Sequence, residues 1–106
     1  MNKDLDVIVS RISLLFKRIS YTQYWIEVVN DKYDKSYNVF FCQQKKGSHL
    51  RSTPVHKIDE YKLEYLEEVI TGFRKQSNLT IKYVGFTGEV WPNSQKKIQW
   101  EKNHLE

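Results

Sequence analysis

A chain of 106 residues with 40% hydrophobic and 14% aromatic side chains can bury the core of one domain, but hardly of two. Its 28% charged residues and mean hydropathy of −0.66 indicate a soluble protein, and no apolar run approaches the ~20 residues that a membrane-spanning helix needs. The single cysteine, Cys42, excludes an internal disulfide, so we expect a reducing, cytoplasmic setting. We predict one domain over residues 1–104 and interpret residues 105–106 as the remnant of an expression tag.

The first predicted element is an amphipathic helix over residues 3–19. Apolar residues recur there at intervals of three and four, which aligns them along one side of a helix. They are Leu5, Ile8, Ile12, Leu15 and Ile19. We expect this side to pack on the protein's own sheet, and a short coiled-coil seam with a partner helix is the alternative.

Three strands rich in aromatic and β-branched residues are predicted next, over residues 24–29, 37–42 and 49–53. Alternation along the first strand places Tyr24, Ile26 and Val28 on one face of the sheet. It places Trp25, Glu27 and Val29 on the other face. Because Pro54 cannot donate a ladder hydrogen bond, we expect the third strand to end there or to lie at an edge.

The second half of the chain predicts a helix over residues 59–75, followed by a strand over residues 79–86. Asp59 is a plausible N-cap, and four glutamates are expected to form the solvated face of the helix. They are Glu60, Glu64, Glu67 and Glu68. Residues 89–91 could return as a short final strand.

These elements predict a single small α+β domain in the order α-β-β-(β)-α-β, with a possible short final strand. The sheet is expected to be mainly antiparallel, with both helices on one face.

The net charge of +4 is unevenly distributed along the chain. Residues 1–57 contain 10 Lys+Arg and 5 Asp+Glu, and no acidic residue lies between Asp34 and Asp59. The hairpin of residues 43–57 could therefore bind a nucleic-acid backbone. The predicted contacts are Lys45, Lys46, His49, Arg51 and Lys57.

The aromatic content favours a different role. Three Trp, seven Tyr and five Phe are many for so small a domain, and exposed rings are common anchors at protein interfaces. The candidates are Trp25, Tyr33, Phe40 and Trp91. The acidic second helix and the basic hairpin could also complement each other in a homodimer. We therefore expect a small non-enzymatic cytoplasmic accessory protein that contacts another protein through its surface, with the nucleic-acid role as the alternative.

Catalytic and metal-binding chemistry has little support in the sequence. Cys42 and His49 could face each other across a hairpin as a thiolate–imidazole pair, which is a remote alternative without an identifiable orienting group. The residues Cys42, His49, His56 and His104 lack the short paired spacings of structural zinc sites. No cofactor, metal or small-molecule substrate is expected. The absence of alanine and the excess of lysine suggest an AT-rich bacterial or mobile-element origin.

Overall fold

The computed structural model describes residues 3–15 and 22–98 of the chain. Its elements are α1 (Lys3–Leu15), β1 (Thr22–Asp31), β2 (Ser36–Lys45), β3 (Arg51–Ile58), α2 (Leu63–Gln76) and β4 (Thr80–Val84). This order confirms the predicted α+β fold. No helix in the described ranges is long and apolar enough to cross a membrane.

The four strands form one mixed sheet in the order β3-β2-β1-β4. The pairs β1–β2 and β2–β3 are antiparallel, whereas β4 runs parallel to β1. A parallel neighbour requires a crossover connection. The chain makes this connection through α2, which leads from β3 to β4 on the far side of β1. The prediction of a mainly antiparallel sheet is confirmed, with β4 as a parallel addition.

One face of the sheet carries the hydrophobic core. Ile26 and Val28 of β1 stand opposite Phe41 and Val39 of β2, and all four side chains are buried. The helices contribute Ile8, Ile12, Leu66, Val69, Ile70 and Phe73 to the same cluster. Both helices therefore lie on one face of the sheet, as the element order predicts.

The opposite face, called the open face below, has no helix packed on it from the described residues. Its side chains include Trp25, Glu27, Val29, Asn38, Phe40, Cys42, Pro54, Lys82 and Val84. Trp25 and Cys42 are buried although they lie outside the core cluster, while Val84 is 46% exposed. This face therefore combines a buried centre with apolar groups at its margin.

The third strand is longer than predicted and does not end at Pro54. The register shifts between Val39 and Phe40, so that Val55 is an extra residue in β3. Such a bulge, at the edge of a sheet, tolerates the missing N–H of proline. The guanidinium of Arg11 donates a hydrogen bond of 2.5 Å to the Val55 carbonyl oxygen. The prediction of an edge strand is correct, and the predicted end is wrong.

The second helix begins at Leu63, so the predicted N-cap Asp59 is wrong. The N-cap residue is Lys62, which has an extended backbone and no side-chain capping bond. The contacts of Tyr61 explain why the helix begins later than predicted. The Tyr61 ring packs 5.0 Å from the ring of Tyr37, and the Tyr61 hydroxyl donates a 2.7 Å hydrogen bond to Asn30. These tertiary contacts hold the chain out of a helical path before Leu63.

The chain after β4 folds back over α2 instead of forming the proposed short strand. Val90 and Lys97 make a single antiparallel bridge. Glu67, predicted on the solvated face, is 7% exposed, and its carboxylate accepts the backbone N–H groups of Asn93 and Ser94 at 2.9 and 3.1 Å. A buried carboxylate is stable here because charge-assisted hydrogen bonds replace its water. Residues 16–19 of the predicted first helix lie outside the described residues.

A polar cluster centred on Asp4 joins α1 to the rest of the fold. One oxygen of the Asp4 carboxylate lies 2.5 Å from Nε2 of His56 in β3, and the other accepts a hydrogen bond from the Tyr65 hydroxyl in α2. Burial alone would raise the pKa of Asp4, but the hydrogen bonds from His56 and Tyr65 outweigh it and lower that pKa below 3.8. The cluster therefore favours the ionised carboxylate.

This pKa shift predicts an acid-sensitive attachment of α1. A carboxyl group whose pKa is lower in the folded state stabilises the fold above its unfolded pKa, and this stabilisation disappears as the pH falls through the folded pKa. We expect Asp4→Asn to lower the free energy of unfolding by about 1–3 kcal/mol at pH 7 and by progressively less below pH ~4. Denaturant unfolding at pH 7, 5, 4 and 3 measures the difference. A wild-type-to-variant difference that does not shrink between pH 4 and pH 3 would contradict the assignment.

Candidate nucleic-acid interface

The strand order collects positive charge at one end of the sheet, called the cationic end below. The β2–β3 turn lies here, next to the start of β1, because Thr22 pairs with Lys45. β4 also begins here, because Thr80 pairs with Trp25. The C-terminal turn of α2 precedes β4 by three residues, so Arg74 and Lys75 lie at the same end.

Among the residues that the structure describes, the segments that meet at the cationic end contain no carboxylate. They are residues 22–24, 43–53 and 74–81, and their cations are Lys45, Lys46, Arg51, Arg74 and Lys75. Lys45, Lys46 and Arg51 are exposed here, and exposed cations produce a positive potential that reaches over about one Debye length, ~10 Å at 0.1 M salt. This potential attracts polyanions.

The opposite end of the sheet has a mixed and nearly balanced charge. Its turns and connections contain Asp31, Asp34, Asp59, Glu60 and Glu89 together with Lys32, Lys35, Lys57 and Lys62. The molecule is therefore electrically polarised along its strands, which the modest net charge of +4 does not reveal.

Lys57 belongs to the opposite end rather than to the cationic end. It pairs with Asn38, near the β1–β2 turn, and its ammonium forms ion pairs with Asp34 and, at 3.8 Å, with Asp59. Its hydrogen bond to Asp34 raises the pKa of Lys57, and the same bond lowers the pKa of Asp34. The predicted group therefore divides: Lys45, Lys46, His49 and Arg51 come together, and Lys57 does not.

The β2–β3 turn presents the remaining predicted residues in a compact, exposed loop. The Ser48 N–H donates a 2.9 Å hydrogen bond to the Lys45 carbonyl, and Gly47 adopts φ +81°, a conformation that L side chains rarely adopt. All residues from Gln44 to Arg51 are exposed. The turn is therefore tight at its start and leaves its side chains accessible.

Two hollows flank this turn, one on each side of the sheet. The helix-side hollow, of about 390 Å³, is lined by Thr22, Gln43, Lys45, Ser48, His49 and Arg51. The open-face hollow, of about 440 Å³, is lined by Thr22, Gln23, Gln44, Lys45, Lys46 and Gly47. Thr22 and Lys45 border both hollows.

The predicted interface aromatics have very different exposures. Trp91 is 3% exposed and lies in the core, where its ring packs edge-on 5.7 Å from that of Tyr83, so it cannot contact a partner. Tyr33 is fully exposed at the tip of the β1–β2 turn. Phe40 is half-buried on the open face. Trp25 is 8% exposed beneath the ammonium of Lys82, which lies 4.3 Å from the ring centroid.

Cys42 and His49 do not form a catalytic pair. The Cys42 side chain is 1% exposed, and its thiol donates a hydrogen bond to the Ser52 hydroxyl at 3.6 Å. His49 lies in the exposed turn, outside the β2–β3 ladder. Burial raises the pKa of the Cys42 thiol, with a smaller opposing effect of the Ser52 hydrogen bond, so the nucleophilic thiolate is disfavoured.

Other polar clusters show mixed chemistry. A groove of about 1320 Å³ between α1 and α2 is lined by side chains of both signs, among them Lys3, Lys75, Glu64 and Glu68. Within residues 3–15 and 22–98, no three His, Cys, Asp or Glu side chains come together as a metal site. The cationic end therefore has the most uniform chemistry of these surfaces.

Comparison with known proteins does not identify a functional site in this chain. No family model, curated protein or solved structure matches the chain.

The environment of Cys42 predicts slow thiol chemistry. We expect native protein at pH 8 to react with a disulfide reagent such as dithionitrobenzoate at least about tenfold more slowly than urea-unfolded protein, because a buried thiol with a raised pKa must first be exposed. A His49→Gln variant should react at the wild-type rate. If the thiol of native protein reacts fast and His49→Gln slows that reaction, Cys42 and His49 do act as a pair.

Proposed function

We propose that this protein binds nucleic acid through its cationic end. The observation that carries the proposal is that the exposed β2–β3 turn places Lys45, Lys46 and Arg51 at one end of the sheet, where the described segments contain no carboxylate. Single strands and duplexes present closely spaced phosphates, and neutralising them releases counterions that favour binding at low salt.

The side chains around the turn suit such a contact in a second way. Gln43 and Gln44 end β2 beside Lys45, and amide groups can donate to and accept from base edges or backbone oxygens. Lysines and arginine would position the strand without reading its sequence. The protein is thus proposed to be a non-enzymatic module of low sequence specificity.

The charge distribution predicts which cationic side chains contribute to nucleic-acid binding. A triple variant, Lys45→Gln, Lys46→Gln and Arg51→Gln, should bind a fluorescent ~20-nucleotide strand at least tenfold more weakly at ~50 mM salt. It should also reduce the slope of log affinity against log salt by about 2, because three phosphate contacts are lost. Fluorescence anisotropy across a salt series measures both quantities.

The matched control for this experiment lies at the opposite end of the sheet. Lys32→Gln, Lys35→Gln and Lys62→Gln remove the same charge from exposed positions and should leave affinity nearly unchanged. Equal losses in the two triple variants would show that net charge alone matters. No binding of single or double strands at ~50 mM salt would refute the proposal.

The open face supports a second candidate, a protein contact, for which we propose a second copy of this chain as the partner. Val84 is 46% exposed, Val29 beside it is half-buried, and Phe40 is half-buried on β2 of the same face. A two-fold axis places the same patch on both subunits, so in such a dimer the apolar margin of one copy would meet that of the other.

This second candidate predicts concentration-dependent association. Val84→Glu should weaken dimer formation at least tenfold (about 1.4 kcal/mol), because it places an unpaired charge in an apolar contact. Val90→Glu, at a 40% exposed valine outside the sheet, is the control and should have little effect. Sedimentation velocity over a range of concentrations measures the dimer. A monomer at all concentrations would refute self-association.

A further inference from the structure

The two hollows beside the β2–β3 turn differ in chemistry. The helix-side hollow is lined by polar side chains, and each of them can donate a hydrogen bond. It contains a guanidinium from Arg51, an ammonium from Lys45 and hydroxyls from Thr22 and Ser48. The open-face hollow has two amides and two lysines but no arginine. These two sides of one turn are therefore suited to different parts of a ligand.

A dense set of donors without a carboxylate is the environment that an anion requires. Among biological anions, phosphate matches a guanidinium well, since two parallel N–H groups can bond two of its oxygens. A lysine serves as a point charge beside such a pair. Arg51 begins β3 opposite Gln43, so the ladder fixes the backbone from which the guanidinium extends.

We infer that the helix-side hollow seats one phosphate group of the bound nucleic-acid strand. Arg51 holds it in a bidentate contact, and Lys45, which borders both hollows, marks the path to the open-face hollow. There, Gln23 and Gln44 stand opposite each other on the open face and lie within reach of the adjoining nucleotide. This inference rests on the proposed function and adds a specific contact to a diffuse electrostatic attraction.

The first test uses inorganic phosphate as the probe. Amide resonances of residues 43–51 should shift on titration with phosphate, relative to chloride at equal ionic strength, whereas those of the β1–β2 turn should not. A single-stranded oligonucleotide should compete for the same shifts. If phosphate produces no localised shift, the seat does not exist. Phosphate shifts that the oligonucleotide fails to displace would assign the hollow to small phosphate ligands and overturn the strand contact.

The second test separates geometry from charge. Arg51→Lys keeps the charge but removes the two parallel N–H donors of the guanidinium. It should therefore weaken oligonucleotide binding about fivefold and abolish most phosphate-induced shifts. Lys32→Gln removes a charge from the opposite end of the sheet and should retain the phosphate shifts. Both variants should keep the wild-type spectrum away from the substituted residue, which checks that they fold.

The outcomes distinguish the two proposals. If Arg51→Lys binds like the wild type while the triple glutamine variant is weakened, the cationic end stands and the phosphate seat is refuted. If the triple variant also binds like the wild type, both proposals fail.

Discussion

The position of β1 between β2 and β4 is the constraint on which the rest of the molecule depends. β1 pairs antiparallel with one neighbour and parallel with the other, so the chain cannot reach β4 by a hairpin. It must first return along the length of the sheet, and α2 makes this return on the core face. That path sets which side of the sheet is covered. It also brings the last turn of α2 to the end where β1 starts.

The charge separation follows directly from this topology. Arg74 and Lys75 are more than 20 positions from Arg51 in the sequence, yet they reach the same end of the sheet because α2 runs back to it. The acidic residues collect at the turns of the other end, where Asp34 and Asp59 neutralise Lys57. Exposed ion pairs of this kind add little stability. Their effect is to reduce the positive charge at that end, so that Lys45, Lys46 and Arg51 mark the other end as the more positive surface.

Local patterns predicted those features that local physics controls. Alternation in β1 correctly separated the residues on its two faces, because side chains on a strand point to opposite sides whatever the strand order. The start of α2 and the bulge in β3 depend on contacts between distant residues, Tyr61 with Tyr37 and Arg11 with Val55. Glu67 resembles its solvated neighbours in sequence, and nothing local marks it as the anchor of residues 93 and 94. Lys57 is close to the β2–β3 turn in sequence. The length of β3 nevertheless places it at the opposite end of the sheet.

The two borders of the sheet are unequal. β3 is shielded by its bulge, by Pro54 and by the Arg11 side chain on the Val55 carbonyl oxygen, so an incoming chain finds few usable backbone groups there. β4 is only five residues long, carries Lys82 and pairs on one side with β1. Fibril growth or exchange of segments between molecules would have to begin along β4, where a short strand and a lysine oppose it. Aggregation through the sheet is thus opposed at both borders, by a different device at each.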